Sequence, residues 1–160
     1  MSPSDTLENH CYDELQPGQQ ASLSRTVSDD DIALFAHLSG DINPAHVDAD
    51  YAEGTPFGGV IVHGMWTAGL VSAVLGTQLP GPGAVYLEQS LQFRKPVKPG
   101  DTITATVEVV EKGRRGRVTL KCSAHNQEGV EVLRGEALVI APSEKVSRPA
   151  TTLPKVSVER

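Results

Sequence analysis

The sequence is poor in several features that mark particular classes of protein. Only 4% of its 160 residues are aromatic, and there are two cysteines, Cys11 and Cys122. The cysteines form no CxxC pair and have no histidine at metal-ligand spacing, so we expect two ordinary thiols in a reducing compartment. No apolar run reaches the roughly 20 residues of a membrane helix, and the polar, acidic N-terminus lacks the pattern of a signal peptide. We therefore expect a soluble, cytoplasmic protein that does not act at a membrane.

Basic residues are outnumbered by acidic ones. The chain has 14 Lys and Arg against 20 Asp and Glu, a formal net charge of -6. A general nucleic-acid-binding protein needs a basic face, so no nucleic-acid partner is expected. Short basic groups occur at Arg94-Lys95 and at residues 114–117. They are interpreted either as solvated strand ends or as anchors for a small anionic ligand.

The length is sufficient for one domain with its own core. Residues 1–14 show little apolar periodicity, and residues 146–160 mix proline, hydroxyl and charged side chains. Both patterns are typical of chain ends. The sequence therefore predicts a single domain over residues 15–145 between two flexible segments.

Two helices are predicted from their start and stop signals. Ser28 can cap a helix over about 29–38, three aspartates follow it in the first turn, and Gly40 provides the C-terminal stop. A longer apolar stretch over 60–76 is hydrophobic nearly all round, which predicts a buried helix that begins near His63 and Gly64.

The second half of the chain changes to a period of two. Alternating patterns predict strands over 85–93, 102–110, 117–125 and 130–140. Strands that follow a buried helix predict an α+β fold, in which a curved antiparallel sheet wraps around one long helix.

The segment between the two predicted helices contains a carboxylate and an imidazole five residues apart, Asp41 and His46. Together they could hold a water molecule and move its protons. Gly40, Asn43 and Pro44 each restrict the backbone there, and Asn43 supports the loop by capping a short helix that starts at Pro44. The alternative is that Asp41 is only a cap and His46 has no role.

The predicted start of the buried helix provides a second candidate group. A helix N-terminus has unpaired N–H groups and a positive dipole end. The N–H of Gly64 could therefore bind a carbonyl oxygen that gains negative charge, as an oxyanion hole does. The alternative is that Gly64 is small only because the helix packs closely.

Three segments together resemble a known family. They are Leu38–His46 (LSGDINPAH), Val62–Met65 (VHGM) and Gln89–Asp101 (QSLQFRKPVKPGD). Over about residues 15–142 the chain is similar to the MaoC-like dehydratases, and within them to the (R)-specific enoyl-CoA hydratases. The resemblance implies a hot-dog fold and a homodimer or higher homo-oligomer with active sites near the subunit interface.

The resemblance also implies roles for individual residues. Asp41 and His46 would hold the reacting water, and the N–H of Gly64 would polarise the thioester carbonyl. Ser72 would support hydrogen bonds in the active site, and Leu75 would bound the acyl pocket.

The implied reaction is the reversible hydration of a trans-2-enoyl-CoA to an (R)-3-hydroxyacyl-CoA. It requires no metal and no redox cofactor, its substrate is carried by CoA or by acyl carrier protein, and it belongs to fatty acid metabolism and the supply of polyhydroxyalkanoate precursors. Two alternatives remain open from the sequence. One is a hot-dog acyl-CoA thioesterase, and the other is a non-catalytic acyl-CoA-binding domain.

Overall fold

A computed structural model describes residues 6–160 as four helices and eight strands, together with two short 3-10 turns. The helices are α1 (Asp29–Ser39), α2 (Pro44–Val47), α3 (Ala49–Glu53) and α4 (Gly64–Thr77). The strands are β1 (Thr6–Glu8), β2 (Gln20–Thr26), β3 (Val85–Gln89), β4 (Gln92–Phe93), β5 (Thr102–Lys112), β6 (Arg117–His125), β7 (Glu131–Ile140) and β8 (Ser147–Pro149). Among the described residues, no helix has both the length and the apolar character of a membrane span.

The main sheet is antiparallel and has six strands in the order β2-β5-β6-β7-β3, with β4 also paired to β7. The predicted alternation in β5 and β6 is confirmed, because every second side chain of both strands is buried in the core. The buried residues are Ile103, Ala105, Val107, Val109, Val118, Leu120, Cys122 and Ala124. Strand pairs shift register at three places, next to Val109, Ala124 and Tyr86. Such irregularities bend a sheet, here one that packs on α4.

Helix α4 packs against β2, β5 and β6. Seven of its side chains are buried, namely Trp66, Thr67, Ala68, Leu70, Val71, Val74 and Leu75. The prediction of one long helix against an antiparallel sheet is confirmed. The expectation that the helix is covered on every side is wrong, because Met65, Gly69, Ser72 and Gly76 form an exposed stripe. They recur every three or four residues, so they occupy one helix face that no other part of the described chain covers.

The predicted ends of α1 are confirmed. The Ser28 hydroxyl accepts from the backbone N–H of Asp31 at 3.1 Å, and the Asp31 carboxylate accepts from the N–H of Ser28 at 2.9 Å. This reciprocal capping box satisfies two free donors of the first turn. Gly40 ends the helix in the left-handed region with φ of 76°, where a side chain would be strained.

The strand predicted over 85–93 differs from the structure in two ways. It is divided into β3 and β4 by an interruption at residues 90 and 91, and its apolar side chains other than Leu91, which packs partly buried against the core, are exposed. The exposed residues are Val85, Tyr86, Leu87 and Phe93. The physical reason is position, because β3 lies at the edge of the sheet and has a neighbour on one side only.

Strand β2 was not predicted. Its only apolar side chains are Ala21 and Leu23, which face the helix side and are half-buried. Its other face consists of hydroxyl groups that pair with hydroxyl groups of β5. The pairs are Ser22 with Thr106 at 2.8 Å, Ser24 with Thr104 at 2.6 Å and Thr26 with Thr102 at 2.7 Å.

The two chain ends differ from the expectation of loose segments. Strand β1 pairs with β8 in a separate two-stranded sheet. The buried Asn9 side chain joins the ends, because its amide donates to the carbonyls of Pro82 and Glu144 and its oxygen accepts from Val146. Residues 1–5 lie outside the described range. The boundaries of the domain, 15–145, stay a prediction.

The two cysteines should react at very different rates with a thiol reagent. Burial raises the pKa of Cys122 to about 11, so at about pH 8 only about one thousandth of it is the reactive thiolate. The pKa of Cys11 is raised too, by desolvation and by the nearby Glu14 carboxylate, but its side chain is only partly buried. We expect one thiol to react within minutes in the native protein and two after denaturation. Two rapidly reacting thiols in the native state would contradict the closed core.

Candidate active site

The loop from Ser39 to His46 is held by hydrogen bonds between near neighbours. The Ser39 hydroxyl accepts from the backbone N–H of Asp41 at 3.1 Å, and the Asp41 carboxylate accepts from the N–H of Asn43 at 3.2 Å. The Asn43 side chain in turn accepts from the N–H of Ala45 at 3.1 Å, which caps α2 as predicted. Each polar side chain therefore fixes the backbone two residues away, and the loop presents Asp41 and His46 in one orientation.

His46 lies in the single turn of α2, and its ring is held from outside the loop. Its Nδ1 lies 2.6 Å from the carbonyl oxygen of Ile61. A carbonyl can only accept, so Nδ1 must bear the hydrogen and donate it. In the neutral ring, Nε2 is then left with a lone pair that can accept a proton.

His63 immediately precedes α4 and is buried against the same loop. Its Nε2 lies 3.0 Å from the backbone carbonyl oxygen of Asp41, to which it donates. Its ring stacks on His46, with centroids 4.0 Å apart and an interplanar angle of 30°, and contacts Phe35 with centroids 4.8 Å apart. Its Nδ1 is buried and has no hydrogen-bond partner among residues 6–160. His63 belongs to the motif Val62–Met65, but no role was predicted for it from the sequence.

Asp41, His46 and His63 bring their charged or titratable atoms into one small volume. One carboxylate oxygen and one nitrogen from each ring lie within 4.8 Å of one another. Such a group could in principle hold a metal ion. The lone pair of an imidazole nitrogen, however, lies in the plane of the ring. Two stacked rings therefore direct their lone pairs side by side. A metal ion would need both lone pairs to point at one position about 2.1 Å from each nitrogen. The arrangement fits an acid–base pair with one water better than a metal centre.

Gly64 is the first residue of α4. Its backbone N–H has no acceptor within residues 6–160, so this donor and the positive end of the helix dipole are free for a ligand. The structure also explains why a glycine occupies the position. An added Cβ would lie 2.7 Å from Cε1 of Phe93. The small residue therefore serves close packing with Phe93, and the N–H remains available as a donor.

The predicted groups face a common cavity of about 460 Å³. Apolar side chains form most of its wall, and Arg94 and Lys95 lie on it as well. The lining residues are Asp41, His46, Phe57, Ile61, Val62, His63, Gly64, Met65, Thr67, Phe93, Arg94, Lys95, Pro96, Val97 and Val132. An apolar cavity with an acid–base pair and a free backbone donor can bind an acyl chain and polarise its carbonyl group.

The other predicted site residues do not reach this cavity. Asn43 supports the loop from outside. Ser72 lies on the exposed stripe of α4, and Leu75 is buried in the core. Neither Ser72 nor Leu75 lines the cavity of the single chain, so their roles in substrate binding stay predictions. Phe93 and His63 do line the cavity. Their positions there depend on contacts between distant segments of the chain, which local sequence patterns do not indicate.

Comparison with known proteins places this geometry in a family. The family model described as MaoC-like domain matches residues 13–131. The chain is 49% identical over 139 residues to a protein of Rhodospirillum rubrum named (R)-specific enoyl-CoA hydratase. The aligned segment covers 87% of this chain and 96% of that protein. It is 45% identical over 129 residues to a protein of the same name from Aeromonas caviae, over 80% of this chain and 96% of that one.

Solved structures show the same relationship. The unliganded R-hydratase PhaJ1 from Pseudomonas aeruginosa superimposes with a TM-score of 0.92 at 44% identity, covering 96% of this chain and 99% of that chain. The (R)-hydratase from A. caviae, described as involved in PHA biosynthesis, superimposes with a TM-score of 0.78 at 45% identity, over 80% of this chain and 98% of that chain. The predicted hot-dog fold is confirmed, and the chain belongs to the MaoC-like dehydratase family.

Proposed function

We propose that the protein hydrates a trans-2-enoyl-CoA to the (R)-3-hydroxyacyl-CoA, and catalyses the reverse dehydration. The main observation is the position of the Asp41 carboxylate and the free Nε2 of His46 on the cavity that also exposes the N–H of Gly64. The names of the relatives, (R)-specific enoyl-CoA hydratase and 3-hydroxybutyryl-CoA dehydratase, support the same chemistry.

In the proposed mechanism, the thioester carbonyl oxygen accepts a hydrogen bond from the N–H of Gly64. This polarises the conjugated double bond and makes C3 electrophilic. Asp41 and His46 hold a water molecule, whose oxygen adds to C3 while one of its protons passes to the pair. A proton from the pair is delivered to C2, so the enzyme ends in its starting protonation state.

Both proton transfers use groups on a single loop, so they occur on one face of the substrate and the addition is syn. The (R) configuration of the product is assigned from the relatives.

We propose CoA rather than acyl carrier protein as the carrier. Arg94 and Lys95 lie on the cavity wall, and neither side chain forms an ion pair or hydrogen bond with another residue of the range 6–160. Two unpaired cations in a chain of net charge -6 suit the phosphate groups of CoA. We further place the reaction in the cytoplasm, which suits the two unpaired thiols.

We also propose that the active protein is a homodimer. Large apolar side chains near the cavity are exposed in the single chain, including Leu38 at 85% near the end of α1 and Ile42 at 74% on the loop that carries Asp41. Met65 and Phe93 on the cavity wall are more than half exposed as well. Exposed apolar surface of this extent favours a protein interface, and Ser72 lies on the adjacent helix stripe, where a second copy would cover it.

Replacing either member of the pair should remove most of the activity. We expect Asp41→Asn and His46→Gln each to lower kcat for crotonyl-CoA by at least ~100-fold, the scale of a lost acid–base group. His37→Gln on α1, an exposed histidine outside the cavity, is the matched control and should keep wild-type kcat. Near wild-type turnover in a folded Asp41 or His46 variant would rule out the assignment.

The product of the same assay separates the alternative functions. Chiral analysis should detect (R)-3-hydroxybutyryl-CoA with no free CoA. Release of free CoA without the hydroxyacyl product would identify a thioesterase, and binding without turnover would identify a non-catalytic domain.

The role of the Gly64 N–H can be isolated from its packing role with paired variants. Because a Cβ at this position meets the Phe93 ring, Gly64→Ala alone should push the ring into the cavity and raise KM, by ~10-fold. Phe93→Leu in the same chain should relieve the contact. The variants Gly64→Ala/Phe93→Leu and Gly64→Pro/Phe93→Leu then differ chiefly in the N–H, because proline is tolerated in the first turn of a helix.

We expect the proline double variant to have a kcat/KM ~100-fold below that of the alanine double variant, as for a lost oxyanion donor. Phe93→Leu alone is the reference, and thermal unfolding monitors the fold. Equal kcat/KM values in the two folded double variants would show that the carbonyl is held elsewhere.

The carrier proposal predicts a substrate-dependent effect. In the double variant Arg94→Gln/Lys95→Gln, KM for crotonyl-CoA should rise at least ~10-fold, the equivalent of about 1.4 kcal/mol of lost charged contacts. KM for crotonyl-pantetheine, which lacks the CoA phosphates, should not change. Arg114→Gln/Arg115→Gln, in the other basic group, is the control. An equal rise for both thioesters would contradict phosphate binding.

A further inference from the structure

We propose that His63 is a positioning residue that fixes both members of the catalytic pair, a role that rests on the proposed function of Asp41 and His46. His63 is the residue before α4, and it lies 22 positions beyond Asp41 in the chain. The packing of α4 and the hydrogen bond from the N–H of Val62 to the carbonyl of Val97 therefore help to set the position of His63 from outside the loop.

The first contact is with Asp41. The carboxylate of Asp41 is held within the loop, where it accepts from the N–H of Asn43. The backbone carbonyl of Asp41 accepts from Nε2 of His63 at 3.0 Å. The residue is thus anchored on two sides, once by its own loop and once by the helix entrance. Loss of the second anchor would leave Asp41 held only by hydrogen bonds within its own exposed loop.

The second contact is with His46. One edge of the His46 ring is held by the carbonyl of Ile61 at 2.6 Å. One face of the ring is covered by His63, at a centroid distance of 4.0 Å, and His63 is itself covered by Phe35 at 4.8 Å. An edge contact and a face contact together limit rotation of the His46 ring, so Nε2 keeps its direction toward the cavity.

The chemistry of the His63 ring shows that more than packing is required at this position. The Nδ1 atom of His63 is buried and has no hydrogen-bond partner in the part of the chain that the structure describes. A buried polar atom without a partner destabilises the folded state. A phenylalanine would fill the same space and stack in the same way without this cost. The presence of an imidazole here is explained by the donor at Nε2, which a purely packing residue does not need.

The test compares two substitutions that keep different contacts. His63→Phe keeps a ring against His46 and removes the donor to Asp41. His63→Gln keeps an amide N–H near the place of Nε2 and removes the ring. With crotonyl-CoA, we expect His63→Phe to lower kcat by at least ~10-fold with KM changed by less than ~3-fold, because a misplaced catalytic group acts on the chemical step.

The melting temperature of His63→Phe should equal or exceed that of the wild type, because the unpartnered nitrogen is gone. His63→Gln should recover at least ~3-fold of the lost kcat, as expected if the donor matters. His125→Gln on β6, away from the cavity, is the control and should leave kcat unchanged. A folded His63→Phe variant with kcat within ~3-fold of wild type would overturn the proposal. The proposal would also be overturned if, in both variants, kcat fell in proportion to a fall in melting temperature.

A measurement on the wild-type protein tests the same idea without turnover or substitution. Ring nitrogen NMR should show a hydrogen on Nε2 of His63 that exchanges slowly with water. A hydrogen on Nδ1 instead would overturn the proposed contact with Asp41. If the wild type failed to hydrate crotonyl-CoA while this NMR signature was present, the proposed reaction would be wrong and the placement of His63 would stand.

Discussion

The first turn of α4 can lie beside the Asp41–His46 loop only because the rest of the helix is held against the sheet. Val71 and Val74 have no exposed surface and pack in the core with the inward side chains of β5 and β6. The segment before the helix is held too, since the N–H of Val62 donates to the carbonyl of Val97 at 2.8 Å. The free N–H of Gly64, the positive helix end and the ring of His63 therefore have their positions set by core packing rather than by local sequence.

The interruption between β3 and β4 has a second effect on the site. Strand β4 pairs with β7 at Phe93, which places the Phe93 ring against Gly64. The next two residues, Arg94 and Lys95, both direct their backbone N–H to the carbonyl of Val132 and line the cavity. A break in strand pairing commonly redirects side chains near a functional site. Here the interruption brings the ring of Phe93 and the side chains of Arg94 and Lys95 to the cavity. With continuous pairing, these residues would instead have extended along the edge of the sheet.

The sequence predicted the elements that local rules determine. Ser28 and Gly40 define α1 because capping and left-handed backbone are properties of single residues, and the strict alternation of β5 leaves one choice of buried face. Strand β2 was missed because only two of its side chains are apolar, and its hydroxyl pairs depend on β5. Asp41, His46 and Gly64 share one cavity as the motif predicted. The part played by His63 depends on contacts across 22 residues, which no local pattern contains.

The two outer strands of the main sheet differ in chemistry, and the difference bears on how copies of the chain can assemble. On β2, the hydroxyl groups of Ser22, Ser24 and Thr26 are already bonded to β5, so this side offers a neighbour little apolar area. On β3, Val85 and Tyr86 are exposed. A molecule with two adhesive edges can bind further copies at both ends and grow into a filament. A molecule with a single adhesive edge forms a two-fold symmetric dimer, in which that edge is no longer available to further copies. In the proposed homodimer, the polar outer strand would therefore favour closed point-group symmetry and act against open-ended polymerisation.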